Sequence, residues 1–254
     1  MLNEERRRHI LQILNRDGRV LVGDLAKHFR TSQVTIRKDL DALQAEGRIH
    51  RSHGGALPAR EGSALDDPTL REKEKLHRKE KMRIAAAAAG MVREGEVVIL
   101  DSGTTTTAIA RALRDFNNLT IITNAVNIAA ELSGTSLEVI LTGGTLRKNS
   151  FSLVGPIAEE TLRRLNGDIL FLGVDGLDAD HGLSTPNQLE ARVNRAMIDI
   201  SRQVVAVCDS SKFGKRSLSK IAPTTSLHHL ITDQGVSKSD LAALRKQEIQ
   251  VTLV

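Results

Sequence analysis

The sequence has no tryptophan, no tyrosine and only five phenylalanines in 254 residues. Proteins that grip single-stranded nucleic acid stack its bases on aromatic side chains, so that mode is disfavoured and any nucleic-acid partner is double-stranded DNA. The single cysteine, Cys208, rules out a disulfide framework within one chain and a Cys-rich zinc site. It stands in the apolar run at residues 203–208 and reads as a small buried hydrophobe. No stretch approaches the roughly 18 apolar residues of a membrane span, and the first residues are charged where a signal peptide would be apolar. A cytoplasmic protein without a membrane partner is expected. Charge imbalance is also scarce, except in one place. Residues 1–60 carry 12 Lys+Arg against 7 Asp+Glu, and the remainder carries 24 against 24, so the whole net charge of +5 lies at the N-terminal end. A small basic module that holds a polyanion and a larger neutral body with another task follow from this split.

Three short apolar periodicities fill the basic segment. Ile10, Leu11 and Leu14 mark a first helix, stopped at Asp17-Gly18. Leu21, Leu25 and Phe29 mark a second. Ile36, Leu40 and Leu43 mark a third, which Thr31 or Ser32 can N-cap and Gly47 ends. With those three residues inward, the third helix shows Gln33, Thr35, Arg37 and Lys38 outward, near its N-terminus, as the recognition helix of a helix-turn-helix does in the major groove. Arg can bond bidentately to guanine, Gln to adenine, and Thr can reach a base or its methyl group. Lys38 and Ser32 suit phosphate. Ile49 and Gly54-Gly55 fit a two-stranded wing, with Arg51 and His53 near its tip to lie along phosphates or the minor groove. His50 and His53 lack a cysteine or carboxylate at partner spacing, so no metal site is expected.

From Pro58 to Pro68 the composition turns to Gly, Pro, Ser and acid, which places a boundary, and a charged helix starts near Thr69. The expected domains are residues 1–57, a linker and connecting helix at 58–75, and a body at 76–254. The body alternates helical stretches with short continuous apolar runs at residues 97–100, 119–122, 137–141, 169–172, 204–207, 230–231 and 249–253. Such runs argue for an α/β fold, a mostly parallel sheet covered on both faces. Ligands of such sheets collect at the carboxyl ends of the strands, so the residues just after each run become candidates. Asp101, Ser102, Gly103, Thr104 and Thr105 open a strand-to-helix turn suited to an anion, and no Walker lysine follows the glycine. Thr123 and Asn124, Gly143 and Gly144, Asp175, and Lys212 add hydroxyl, amide, carboxylate and ammonium groups able to hold sugar hydroxyls and a phosphate. Lys212 also reads as a solvated loop lysine or a partner for Asp209, and Glu190 with Arg195 as a surface pair on one helix.

Thr35-Ile-Arg-Lys-Asp-Leu40, then Gly47, then His53-Gly-Gly-Ala56 resembles the N-terminal signature of the DeoR family of bacterial transcriptional repressors. Lys38 stands where that family more often has a second Arg, which keeps the charge but loses the planar fork. Asp101-Ser-Gly-Thr-Thr, Thr123-Asn124, Gly143-Gly144, Ser152-Leu-Val-Gly155, Gly173-Val-Asp-Gly176 and Asp209-Ser-Ser-Lys212 resemble the family's effector-domain motifs. The resemblance implies a winged helix-turn-helix, a body similar in fold to ribose-5-phosphate isomerase, and a phosphorylated sugar as signal. Gly182-Leu-Ser-Thr-Pro-Asn187 leans toward the branch resembling repressors for N-acetylgalactosamine and related sugars.

The rival expectation is a sugar-phosphate isomerase with a DNA-binding arm, for which Asp175, Asp178 and Glu190 offer carboxylates. Against it, residues 179–184 hold neither the lysine nor the paired glycines of the isomerase loop. A third reading makes the body an oligomerisation unit only. The expectation carried forward is a ligand-controlled repressor without catalysis or cofactor. It forms a homo-oligomer, dimer or tetramer, bound to operator DNA in the bacterial nucleoid and released by a sugar phosphate.

Overall fold

The computed structural model describes residues 3–17, 19–45, 48–52, 54–58 and 67–254. The chain divides into two units, Met1–Ser63 and Ala64–Val254.

In the first unit, α1 (Asn3–Asp17) is followed by a short strand β1 (Val20–Leu21), then α2 (Val22–His28) and α3 (Gln33–Ala45). A hairpin of β2 (Ile49–Ser52) and β3 (Gly55–Pro58) completes the unit. Ile10, Leu11 and Leu14 of α1, Leu25 of α2 and Ile36, Leu40 and Leu43 of α3 form one core, as their helical spacing requires. Leu21 departs from expectation: it lies on β1 and is exposed, and Val22 takes the buried place. The wing is a three-stranded sheet in the order β1-β3-β2, one strand more than expected. Gly55 is what admits β1, since a Cβ there would run into the Val20 carbonyl. Of the two candidate caps, Ser32 closes α3, its Oγ accepting from Thr35 N at 3.1 Å.

A buried ion pair ties α1 to α3. Asp39, on the inner side of α3, accepts from Arg6 Nε at 2.6 Å and Arg7 Nε at 3.2 Å, with the Arg6 and Asp39 side chains 9% and 3% exposed. Removing one partner of such a pair leaves the other charge buried without compensation.

The second unit begins with α4 (Leu70–Lys75) and α5 (Arg78–Ala89) and continues β4 (Val97–Leu100), α6 (Thr104–Ala112), β5 (Thr120–Thr123), α7 (Val126–Leu132) and β6 (Glu138–Leu141). A hairpin of β7 (Thr145–Arg147) and β8 (Ser152–Val154) precedes α8 (Pro156–Leu162) and β9 (Gly167–Leu172). Then come β10 (Gly176–Asp178), β11 (Gly182–Thr185), α9 (Gln188–Asp199), β12 (Ser201–Val207), β13 (Ser219–Ala222), β14 (His229–Thr232), α10 (Lys238–Lys246) and β15 (Gln250–Leu253).

Seven of these strands form one parallel sheet in the order β15-β14-β12-β9-β4-β5-β6, and they are the seven apolar runs of the sequence. The runs are continuous because alternate residues enter different cores. Ile99, Leu170, Leu172 and Val204 pack on one face with Leu162 of α8 and Met197 of α9. Val98, Leu100, Phe171 and Val205 pack on the other with Ile84 of α5, Ile109 of α6 and Ile128 of α7. Cys208 is buried in the first core, and burial pushes its thiol pKa up. The small strands β7, β8, β10, β11 and β13 were not foreseen; they are short and carry no long apolar run.

Asp39→Ala is expected to destabilise the first unit by about 3 kcal/mol. For a unit this small that is most of its stability. Denaturant unfolding of the full chain followed by circular dichroism should show an early, separate transition; a single unchanged transition would show that the pair contributes nothing.

Candidate functional site

The sheet order reverses between β4 and β9: β5 and β6 extend from one edge of β4, while β9, β12, β14 and β15 extend from the other. In open α/β sheets the loops leaving the two strands at such a reversal diverge, and the crevice between them is the usual ligand position. Asp101 follows β4 and Asp175 follows β9, so both stand at the reversal. Asp101 is buried, and its Oδ1 accepts from Gly173 N at 3.0 Å.

Desolvation raises the Asp101 pKa to about 7, helped by the nearby charges of Glu190 and Asp175 and only partly opposed by the Gly173 N–H. Burial works the same way on Asp175, but two ammonium groups outweigh it and leave that carboxyl below the usual range. Lys73 Nζ lies 2.6 Å from Asp175 Oδ1 and Lys212 Nζ 3.8 Å from it, and Thr185 Oγ1 donates to Oδ2 at 3.3 Å. Lys212 thus pairs with Asp175; Asp209 caps the turn that follows it, its Oδ1 accepting from Ser211 N and Oγ.

Glu190 corrects the surface-pair reading. It is buried, and accepts from Ser152 Oγ at 2.9 Å, Arg147 Nη1 at 3.0 Å and Thr185 Oγ1 at 3.4 Å. Arg195 instead donates to the Ile221 carbonyl. Arg147 reaches further, to Asp67 ahead of α4. Lys81 on α5 donates to the carbonyls of Lys73 and Leu76 at 2.6 and 2.7 Å. Burial lowers its pKa to about 8, against the attraction of Asp209. Lys73, Lys81 and Glu190 complete the charged cluster; sequence reading missed the two lysines because both sit on a charged helical stretch that looks like a solvated face.

The other candidates divide. Gly103 is the N-cap of α6, which starts just after β4, and no side chain caps the first turn, so its first N–H groups have no side-chain cap. Ser102 and Thr104 are half-buried and Thr105 buried in that turn. Asn124 is fully buried; its Nδ2 donates to the Leu153 carbonyl and its Oδ1 has no partner among the described residues. Thr123 serves the fold: its hydroxyl donates to the Leu100 carbonyl at 2.7 Å and accepts from Ala125 N at 3.1 Å. Gly143 and Gly144 have φ of +73° and +112°, and a Cβ on Gly144 would press on the Val154 carbonyl and Ala158, so their role in the structure is to turn the chain.

On α3, Gln33, Arg37 and Lys38 are exposed in one array and Thr35 is half-buried beside them. Val34, 59% exposed in the same array, escaped sequence reading; an exposed apolar residue there suits a thymine methyl group. Ser32 Oγ is engaged with Thr35 Oγ1 at 2.9 Å. Arg51 is half-buried and leans on Asp41 of α3 at 3.7 Å, so it belongs beside the recognition helix more than at the wing tip. His53 lies outside the described residues, as do Gly18, Gly47 and linker residues 59–66.

A winged helix-turn-helix joined to a sheet with a charged crevice defines a DNA-binding regulator with a sensor body. Residues 6–61 match the DeoR-like helix-turn-helix domain and residues 76–234 the DeoR C terminal sensor domain. The chain belongs to the DeoR family of transcriptional regulators. It is 41% identical over 251 residues to a putative aga operon transcriptional repressor of Escherichia coli O157:H7, covering 98% of this chain and 93% of that one. It is 32% identical over 255 residues to the glycerol-3-phosphate regulon repressor of Shigella flexneri, covering 100% of both. These relatives are regulators, and the chain is a regulator and not an enzyme. Among solved structures, a ribose 5-phosphate isomerase A from Methanocaldococcus jannaschii aligns with a TM-score of 0.40 and 17% identity, covering 53% of this chain and 54% of that one.

Asp101 gives a pH signature. Its folded pKa of about 7 lies above the 3.8 of an exposed carboxyl. The group therefore favours the fold while protonated, and that advantage is lost between about pH 4 and 7. Asp101→Asn keeps an acceptor for Gly173 N–H and cannot ionise. Its melting temperature should exceed that of the wild type by a clear margin at pH 8 and by much less at pH 5. Equal differences at the two pH values would show that Asp101 does not titrate there.

Proposed function

We propose that this regulator represses a sugar-catabolism operon and leaves its operator when a phosphorylated sugar fills the crevice between β4 and β9. The observations that carry this reading are the buried, unpartnered Oδ1 of Asn124 just after β5 and the cluster of lysines and carboxylates around Asp175 just after β9. A buried acceptor left unpaired costs free energy, and a sugar hydroxyl donates the missing bond. Asp101, Asp175 and Glu190 take further hydroxyls, and Lys212 with the uncapped N–H groups of α6 takes the phosphate. The kinship to a putative aga operon repressor and to a glycerol-3-phosphate regulon repressor supports both halves, the operon and the small phosphate. An amino-sugar phosphate of the galactosamine type heads the candidates.

On the DNA side, Arg37 and Gln33 read bases in the major groove, with Val34 and Thr35 against methyl groups, and Lys38 and the wing hold phosphates. One such module reads few base pairs, and a two-fold pair reads two half-sites. The working form is a cytoplasmic homo-oligomer on duplex operator DNA. The effector acts only through a difference in its affinity for the DNA-bound and free arrangements.

The test is operator binding titrated with sugar phosphates while turnover of each compound is followed. One phosphate should release the DNA and be recovered unchanged; conversion to an isomer would overturn the repressor reading in favour of an enzyme. Arg37→Ala should cost about 1 to 3 kcal/mol of operator affinity and leave effector binding intact. Operator affinity equal to that of the wild type would take Arg37 off the reading face. Lys212→Ala should still bind operator but need far more effector for release, and normal induction would remove Lys212 from the pocket.

A further inference from the structure

The segment at residues 67–76, the first described part of the second unit, is fastened to the crevice by the crevice's own charged groups. Helix α4 buries none of its side chains fully, Leu70 being half-buried, so apolar packing contributes little to holding it down. Its fastenings are mainly polar, and one of them, Glu74 with Arg111 of α6 at 3.6 Å, lies outside the charged cluster. Lys73 pairs with Asp175 at 2.6 Å, Leu70 N donates to the Asn149 carbonyl at 2.7 Å, and Asp67 pairs with Arg147, which also bonds Glu190 at 3.0 Å. Asn149 Nδ2 adds a bond to Asp67 Oδ2 at 3.2 Å. At the other end, Lys81 Nζ holds the Lys73 and Leu76 carbonyls, and His77 turns the chain with φ of +51°.

Two of these fastenings use groups that a sugar phosphate needs. Asp175 is offered simultaneously to Lys73, Lys212 and Thr185, and Arg147 is shared between Glu190 and Asp67. A carboxylate carries one charge, whereas a phosphate monoester carries up to two and has three acceptor oxygens. An occupant that bonds Asp175 through its hydroxyls and draws the cations to its phosphate competes directly with the fastening.

We propose that Lys73 is the effector-sensing residue of this protein: a phosphorylated ligand in the crevice breaks the Lys73–Asp175 pair and loosens residues 67–76, the segment that leads in sequence from the DNA-binding unit. This rests on the sugar-phosphate reading of the crevice and adds how occupancy is reported. Arg147, tied to both Asp67 and Glu190, is the second fastening.

The test is hydrogen exchange by mass spectrometry on the full chain, with galactosamine 6-phosphate, glucosamine 6-phosphate and glycerol 3-phosphate as probes and calorimetry to record binding. Without ligand, Lys73→Met and, independently, Asp175→Asn should each speed exchange in residues 70–76 several-fold while β4 and β9 stay as protected as in the wild type. A bound probe should speed exchange of the same residues in the wild type, and Lys73→Met should lose most of the effect of the probe on operator affinity. Exchange at 70–76 unchanged in both variants, or slowed by a bound probe, would overturn the proposal and leave the sugar-phosphate reading standing. If none of the three probes binds, that reading falls, and the ligand step proposed for Lys73 falls with it.

Discussion

Three carboxylates gather at the point where the sheet reverses its order, and that crowding of like charge constrains much of the second unit. Asp101 and Asp175 arrive there because each follows a strand of the reversal, and Glu190 because it opens α9 behind the capping Asn187. Neighbouring carboxylates in a partly desolvated site cannot all ionise unless cations join them. The cations come from three separate stretches: Lys73 from α4, Arg147 from the β7–β8 hairpin and Lys212 from the turn after β12. Asp101, with no cation bonded to it among the described residues, is the member that burial holds close to neutral. The docking of α4, the direction of the hairpin and the turn at Lys212 are therefore all answers to one electrostatic demand.

The first unit solves a similar problem on a smaller scale. Its apolar core joins three helices and a small sheet, and a domain this short buries little surface per residue. Asp39 occupies an inward position of the very helix that reads DNA, and Arg6 and Arg7 hold it from α1. A buried ion pair adds little net stability over an apolar substitute, yet it penalises any other register strongly. The pair joins α1 to the helix that carries Gln33, Val34, Arg37 and Lys38. A basic polyanion-binding face also repels itself, and an inward acid among outward bases eases that strain.

Much of this was legible in the sequence, and the reasons are physical. All seven strands of the sheet were visible as apolar runs because both faces of a parallel sheet are covered. The recognition helix was visible because Ile36, Leu40 and Leu43 repeat with helical spacing beside a capping Ser32. What escaped were features decided by contacts across long separations. Leu21 and Val22 exchange roles because the wing gains a third strand, which only the approach of Gly55 to Val20 determines. Lys73 and Lys81 looked like parts of a solvated charged helix; one faces an acid 102 positions away and the other caps a turn of the chain. Thr123, Gly143 and Gly144 sit at strand ends, where ligands gather, and yet serve the fold through local hydrogen bonds and positive φ. Position at a strand end is therefore a weaker pointer than burial with an unmet valence, as at Asn124.

The way α4 is held also bears on how large a response such a sensor can give. A small ligand shifts a conformational equilibrium by no more than the difference in its affinity for the two states, typically about 1 to 3 kcal/mol of coupling. A helix docked through a buried apolar face would need more than that, since each large side chain so buried contributes about 1.5 to 3 kcal/mol. Helix α4 buries no such side chain, and its fastening consists of a few part-exposed ion pairs and hydrogen bonds. Contacts of that kind contribute from a few tenths to about 1 kcal/mol each, so breaking the two or three that share groups with the proposed site lies within reach of one phosphate. An apolar interface at this place would make the segment insensitive to the ligand, and a wholly solvated one would leave it unfastened in both states. Polar docking onto the charged groups at the sheet reversal is the arrangement in which occupancy and release are nearly balanced.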